Sequence, residues 1–177
     1  MSAKSPAGDF AVATFCPLKI LLYTDGSSRG NPGPGGYGAI LISGKLKKEL
    51  SQGFRRTTNN RMELMAVIAG LEALKNDGME VDVWSDSKYV VDAVKLGWLD
   101  SWQKKNFKKK KNPDLWKRYL EVAEKHRVKF HWLKGHNDHP LNERCDQLAT
   151  EAADGNDLLI DSVFEKNEKD EDGQTLL

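Results

Sequence analysis

The sequence predicts an α/β protein with one mixed β-sheet, and three features lead to this prediction. Residues 18–24 form a continuous apolar run, which is typical of a buried central strand. Further along the chain, short apolar strands alternate with amphipathic helices, the order expected of an α/β fold. The length of 177 residues, of which 39% are hydrophobic and 30% charged, suits a single globular domain with its own core.

Five strands are expected in the sheet. They are residues 18–24, 39–43, 49–54, 81–85 and 128–132. The first three precede any helix and the last two each stand between helices, so the sheet should be mixed. Residues 25–38 contain six glycines and two prolines, and we expect them to turn tightly between the first two strands.

Four helices are predicted from apolar residues that recur every three or four positions. They begin near residues 60, 87, 114 and 140. In the first helix the apolar stripe runs from Leu64 to Leu74, and Asn59 or Asn60 can cap its start.

Charge is segregated along the chain, although the net charge is only +1. Residues 102–118 carry seven lysines and one arginine against one acid, whereas residues 154–177 carry eight acids against two lysines. Such asymmetry often accompanies nucleic-acid binding. We expect residues 156–177 to form a disordered acidic tail, because this segment has few apolar side chains with which to pack. Residues 1–17, rich in alanine and serine, are expected to be a flexible leader.

The two cysteines and the hydropathy pattern exclude several classes of protein. Cys16 and Cys145 lie far apart without a CxxC pattern, which disfavours a structural zinc site and leaves one disulfide or two reduced thiols. No apolar run approaches the ~20 residues of a membrane span. Pro17 and Lys19 interrupt the apolar stretch near the start, so it does not read as a signal peptide. We therefore expect a cytoplasmic protein.

Four acids stand where a metal site could form. Asp25 and Asp86 each end a predicted buried strand, and Glu63 and Asp146 lie in the first turns of two predicted helices. Sites in open α/β sheets form at the carboxyl ends of strands. Four carboxylates brought together repel one another, so a cation must keep them ionised, and oxygen ligands favour Mg²⁺ or Mn²⁺.

Five sequence blocks around these acids resemble the bacterial type 1 ribonuclease H family and occur in the family's order. They are YTDGS at 23–27, GNPGPGGYG at 30–38, TTNNRMELM at 57–65, SDSKYV at 85–90, and GH followed by P and NERCD within 135–146. The resemblance covers roughly residues 18–153. It implies a ribonuclease H-like fold, a five-stranded mixed sheet with helices on both faces, with residues 18–155 as the catalytic domain.

The resemblance also implies the reaction. Members hydrolyse the RNA strand of an RNA–DNA hybrid with two metal ions, leave 5′-phosphate and 3′-hydroxyl ends, and thereby remove RNA primers and R-loops. Asp25, Glu63, Asp86 and Asp146 correspond to the ligands of two Mg²⁺ ions, for which Mn²⁺ can substitute. His136 corresponds to a loop histidine that assists proton transfer or product release. We expect a monomer whose partner is the hybrid duplex and not a membrane.

Contacts to the hybrid are implied in three groups. Residues facing the RNA strand are Gly26, Ser28, Asn31, Asn59, Asn60 and Lys88, of which Ser28 and Lys88 depart from the cysteine and glutamine of many relatives. Residues that bind a DNA-strand phosphate are Arg56, Thr58 and Asn112. A basic protrusion that grips the DNA strand contains Trp98, Trp102, Lys104 and Lys105, with Phe107 as a further aromatic residue suited to stacking or sugar packing.

Two other functions compete with this one. Integrases, transposases and junction resolvases also use clustered acids and two metals, but they generally lack the TTNNRME block. A non-catalytic hybrid-binding module would not need all four acids. A cleavage assay with and without Mg²⁺ separates the binding module from the enzyme.

Overall fold

The computed structural model describes residues 19–134 and 139–175, with side chains up to residue 170. Its centre is a six-stranded mixed sheet in the order β5-β4-β1-β2-β3-β6. The strands are β1 Lys19–Ser28, β2 Gly33–Ser43, β3 Leu46–Thr57, β4 Glu80–Ser85, β5 Arg127–Trp132 and β6 Leu158–Leu159. The predicted α/β fold with a mixed sheet is confirmed, and the sheet differs from the prediction by the short edge strand β6.

Six helices accompany the sheet within the described residues. They are α1 Asn59–Glu72, α2 Lys88–Lys95, α3 Trp98–Lys104, α4 Pro113–Ala123, α5 Pro140–Asp154 and α6 Ser162–Thr175. None of them is long and apolar enough to cross a membrane. The cap of α1 is neither predicted asparagine but Thr58, whose hydroxyl accepts from the Arg61 backbone N–H at 3.4 Å.

Strand β1 is central, which explains its continuous apolar run. It pairs antiparallel with β2 and parallel with β4, where Leu22 lies opposite Val83. Successive residues of β1 face opposite sides of the sheet. Leu22 packs into the core under α1, and Tyr23 packs into the core under α5. Helices therefore cover both faces of the sheet, as expected.

The glycine-rich stretch 25–38 does turn tightly between the first two strands, but the turn takes only residues 29–32, and the rest of the stretch is strand. Two of its glycines, Gly36 and Gly38, allow α5 to pack closely on β2, and Gly53 does the same on β3. A Cβ on Gly38 would lie 2.2 Å from the Cys145 carbonyl oxygen, and one on Gly53 would lie 2.1 Å from the Ala152 carbonyl oxygen. Because only glycine leaves this space free, α5 can rest directly on the strand backbones.

The prediction of a disordered tail over 156–177 was wrong for most of that segment. Strand β6 pairs with β3, and α6 follows it. Asp161, between them, is buried and ion-paired with the buried Arg61 at 2.6 Å. Two further acids of α6 bind arginines of β3. Ion pairs thus order a segment whose apolar content is low. The predicted leader, residues 1–17, lies outside the described residues.

Candidate metal centre and nucleic-acid surface

Asp25 and Asp86 meet because β1 and β4 run parallel. Tyr23 lies opposite Trp84 in the register, so the two aspartates stand together at the carboxyl edge of the sheet. Glu63 approaches from α1 over Gly26, where a Cβ would lie 2.2 Å from the Glu63 backbone nitrogen. Asp25, Glu63 and Asp86, called here the carboxylate cluster, each place one oxygen within 4.8 Å of the others.

Burial and mutual repulsion raise the pKa of two members of the carboxylate cluster, Asp25 and Glu63. Burial and the Asp86 charge raise the pKa of Asp25 to about 8, against the Gly26 N–H, which donates to Asp25 Oδ1 at 2.7 Å. Burial and the charges of Asp25 and Asp86 raise the pKa of Glu63 well above its usual range. Glu63 Oε2 has no hydrogen-bond partner among the described residues. These are the properties of an oxygen site that needs a cation.

Asp146 and His136 stand apart from the three clustered acids. Asp146 lies in α5 with its side chain exposed, and it is not part of the carboxylate cluster. Its negative charge nevertheless contributes to the raised pKa of Asp25, so the two groups interact electrostatically. His136 lies outside the described residues, and its role stays a prediction.

Asn142 is a neighbour of the carboxylate cluster that the sequence did not single out. It is buried in the first turn of α5, and its Nδ2 lies 3.5 Å from Asp86 Oδ2. Trp132 Nε1 donates to the Asp86 carbonyl at 3.3 Å. Both contacts come from elements remote in sequence, and an asparagine in a helix's first turn ordinarily indicates only capping.

The residues expected to face RNA surround these carboxylates. The Asn31 side chain accepts from the Asn59 backbone N–H at 3.1 Å, which ties the β1–β2 turn to the start of α1. Asn59 in turn donates to Glu63 Oε1 at 3.5 Å. Gly26 is buried beside Asp25, and Ser28 is half-buried at the end of β1. Asn60 and Lys88 are exposed, with Lys88 Nζ 5.4 Å from the centre of the Trp132 ring.

The three expected phosphate-binding residues lie around the N-termini of α1 and α4. Thr58 caps α1, and Asn112 stands immediately before α4. Asn112 accepts from Arg61 Nη1 at 3.3 Å and donates to the Tyr89 hydroxyl at 3.0 Å. Arg56 is exposed and forms an ion pair with Glu168 of α6. Arg61 therefore joins Thr58, through its backbone, to Asn112, through its side chain.

Arg61 is a structural hub that the sequence reading left without a role. It is 3% exposed and donates to Asp114 at 2.7 Å and to Asp161 at 2.6 Å. Burial alone would lower its pKa, but the two carboxylates raise the pKa of Arg61. An arginine within the buried stretch of a helix requires acid partners. The position of Arg61 among apolar residues is therefore the sequence signal that could have indicated acids elsewhere in the chain.

In the predicted basic protrusion, residues 98–111, called here the basic segment, the lysines point outward and most of the aromatic rings point inward. Lys104 and Lys105 are exposed. Trp98 is 46% exposed, whereas Trp102 is half-buried with its ring centre 5.7 Å from that of Trp116. Phe107 is only 5% exposed, so the expectation that it stacks on nucleic acid was wrong, because it belongs to the core. Trp98 is the most exposed aromatic side chain of this segment, and Trp102 is partly exposed beside it.

Comparison with known proteins gives consistent matches over the folded part of the chain. A family model described as RNase H matches residues 17–154. A ribonuclease H of Desulforamulus reducens is 52% identical over 148 residues, which are 81% of this chain and 92% of that protein. A ribonuclease H of Lachnoclostridium phytofermentans is 53% identical over 159 residues, covering 84% of this chain and all of the relative.

Solved structures match as well. LC9-RNase H1, described as a type 1 RNase H with the type 2 active-site motif, has 30% sequence identity and a TM-score of 0.72 over 85% of this chain and 80% of that one. LC11-RNase H1, crystallised in complex with an RNA/DNA hybrid, has 29% identity and a TM-score of 0.59 over 76% of this chain and 96% of that one.

Proposed function

Because the chain belongs to the ribonuclease H family of nucleases, we propose that it hydrolyses the RNA strand of RNA–DNA hybrids and leaves 5′-phosphate and 3′-hydroxyl ends. The observation that carries this proposal is the carboxylate cluster at the carboxyl edge of β1 and β4. The complex of LC11-RNase H1 with an RNA/DNA hybrid supports the same substrate. Removal of RNA primers and R-loops is the cellular role that such cleavage would serve.

The carboxylate cluster fits hard divalent cations, with two Mg²⁺ ions as the proposed cofactors and Mn²⁺ as a substitute. Carboxylate oxygens are the ligands that these ions prefer. The unpartnered Glu63 Oε2 and the raised pKa of Asp25 both indicate negative charge that the protein itself does not neutralise. Asp146, which interacts with Asp25 through charge, would complete the ligand set. Bound cations supply positive charge that offsets the charge developing on the scissile phosphate.

The protein's own residues orient these groups and handle protons. Asn59 and Asn142 hold Glu63 and Asp86 by side-chain contacts from two different helices. Asp25 and Glu63 must lose protons for a cation to enter, because burial keeps them neutral without it. His136 is proposed to assist proton transfer or product release.

Recognition of the hybrid is proposed to divide between its two strands. The region of Asn31, Asn59 and Asn60 offers short polar side chains suited to 2′-hydroxyls in a wide minor groove. Arg56, Thr58 and Asn112 would bind a DNA-strand phosphate where two helix N-termini converge, since such termini favour anions. Exposed lysines of the basic segment would neutralise further phosphates.

The test is cleavage of an end-labelled RNA–DNA hybrid in Mg²⁺ by the wild type and by Asp25→Asn and Asp86→Asn. Each variant should lose at least about a hundredfold in kcat while still binding the hybrid. Asp77→Asn, which removes an exposed loop acid, is the matched control. Near-normal turnover by either cluster variant, cleavage of all-DNA duplex, or products with 2′,3′-cyclic phosphate ends would contradict the proposal.

A further inference from the structure

Three acids of the C-terminal segment, residues 156–175, form ion pairs with arginines at the end of β3 and the start of α1. We call the three pairs Arg61–Asp161, Arg55–Glu165 and Arg56–Glu168 the arginine–carboxylate seam. Each guanidinium donates through two nitrogens to both oxygens of its acid. This two-bond geometry is also the one in which arginine binds phosphate.

The seam grades from a buried inner pair to an exposed outer pair. At the inner end, the side chains of Arg61 and Asp161 are 3% and 5% exposed. At the outer end, those of Arg56 and Glu168 are 48% and 26% exposed. An exposed ion pair contributes little net stability, whereas a buried one is costly to break. The inner pair therefore anchors α6, and the outer pair can open without unfolding it.

The outer pair involves the arginine that the proposed function assigns to the DNA strand. Arg56 Nε and Nη2 each lie 2.6 Å from one oxygen of Glu168. A phosphate that approached Arg56 by the same Nε–Nη2 edge would need these two donors. At that edge of the guanidinium the carboxylate and the phosphate exclude each other.

We propose that α6 is a built-in competitor of the substrate, in which Glu168 occupies the phosphate-binding face of Arg56 until a hybrid displaces it. This inference rests on the proposed function for the identity of the ligand, a backbone phosphate of a hybrid duplex. Its consequence is a modest selectivity for substrates with many phosphate contacts, because short or weakly bound nucleic acids displace Glu168 less readily. Removing that carboxylate should strengthen substrate binding and leave the chemical step unchanged.

The experiment compares Glu168→Gln with Asp170→Asn in the full chain. Both variants remove one negative charge from α6, and Glu168 is the one of the two acids that forms the ion pair with Arg56. Truncation is unsuitable because it also removes Asp161, the inner anchor. Hybrid affinity is measured by fluorescence anisotropy in Ca²⁺ and KM and kcat in Mg²⁺, both at low salt. Thermal unfolding shows whether each variant is folded.

Glu168→Gln should lower Kd and KM by about two- to fivefold with kcat unchanged, the size expected of one exposed ion pair. Asp170→Asn should lower them by clearly less. In an Arg56→Gln background the effect of Glu168→Gln should disappear, because no guanidinium remains for which to compete. Equal effects of the two α6 variants would show that net charge alone matters and would overturn the inference.

The outcomes also separate this inference from the proposed function. A wild type that cleaves hybrids, with no change in Kd on Glu168→Gln, keeps the function and rejects the competitor. Tighter binding by Glu168→Gln in a protein that cleaves no hybrid keeps the competitor and rejects the function.

Discussion

Two groups of acids in this molecule are treated in opposite ways. The carboxylate cluster crowds three acids at a sheet edge with no basic partner among the described side chains, and the pKa of Asp25 rises to about 8. In the arginine–carboxylate seam each acid has its own arginine, and hydrogen bonds from Arg55 and Arg56 lower the pKa of Glu165 and Glu168. The protein leaves the first group of acids without a counter-charge among the described side chains, and it uses the second group to hold the C-terminal segment on the fold.

The largest effect on folding is expected within the seam. Asp161→Asn removes one of two acids that neutralise buried Arg61, and should lower the free energy of unfolding by about 2–4 kcal/mol. Asp157→Asn, an exposed neighbour, is the control and should change it little. Urea denaturation measures both variants. Equal stability of the two would mean that the inner pair does not anchor the C-terminal segment.

A substitution in the carboxylate cluster is expected to raise the free energy of unfolding rather than lower it. Without a metal, Asp25→Asn should raise the free energy of unfolding at pH 8 by roughly 1–3 kcal/mol, because it removes a buried charge that its neighbours repel. The same substitution should abolish cleavage. Urea denaturation in chelator is the measurement, with Asp77→Asn as control. Destabilisation by Asp25→Asn would show that the wild-type carboxylate is satisfied by the protein itself.

The sequence predicted the central strand and the carboxylate cluster better than the arginine–carboxylate seam, because the sequence signals for the first two are local. An unbroken apolar run marked β1 as central, and acids at two strand ends marked the place where the carboxylate cluster forms. The arginine–carboxylate seam was not predicted, because its arginines and acids are about a hundred residues apart in sequence. Low apolar content was therefore taken for disorder. The glycines of β2 misled similarly, since composition cannot distinguish a turn from a surface on which a helix packs.

A smaller effect should appear as contrasting pH dependence. Asp25 has a folded pKa of about 8, above its unfolded value near 4, so its contribution to stability is complete below pH ~4 and is lost as pH rises to about 8. The pKa values of Glu165 and Glu168 are lowered in the fold, so their contribution is present above their ordinary pKa and is lost in acid. Melting curves of the metal-free protein between pH 3 and 9 test both.

Single substitutions show which acid causes the loss of stability towards pH 8, the alkaline limb of the profile, and which causes the loss in acid. Asp25→Asn should flatten the decline between pH 5 and 8, and Glu165→Gln should flatten the loss below pH ~4. If Asp25→Asn leaves the alkaline limb unchanged, the crowded cluster is not its cause.

The most direct test is an NMR titration with Mg²⁺, because the Gly26 amide donates to Asp25 at 2.7 Å and reports on that carboxylate. In the wild type, the Gly26 resonance should shift saturably while those of Arg55 and Arg56 stay in place. Asp25→Asn should abolish the shift, and Glu168→Gln should preserve it. A Gly26 amide that does not respond to Mg²⁺, or responds equally in Asp25→Asn, would contradict the assignment of the carboxylate cluster as the metal centre.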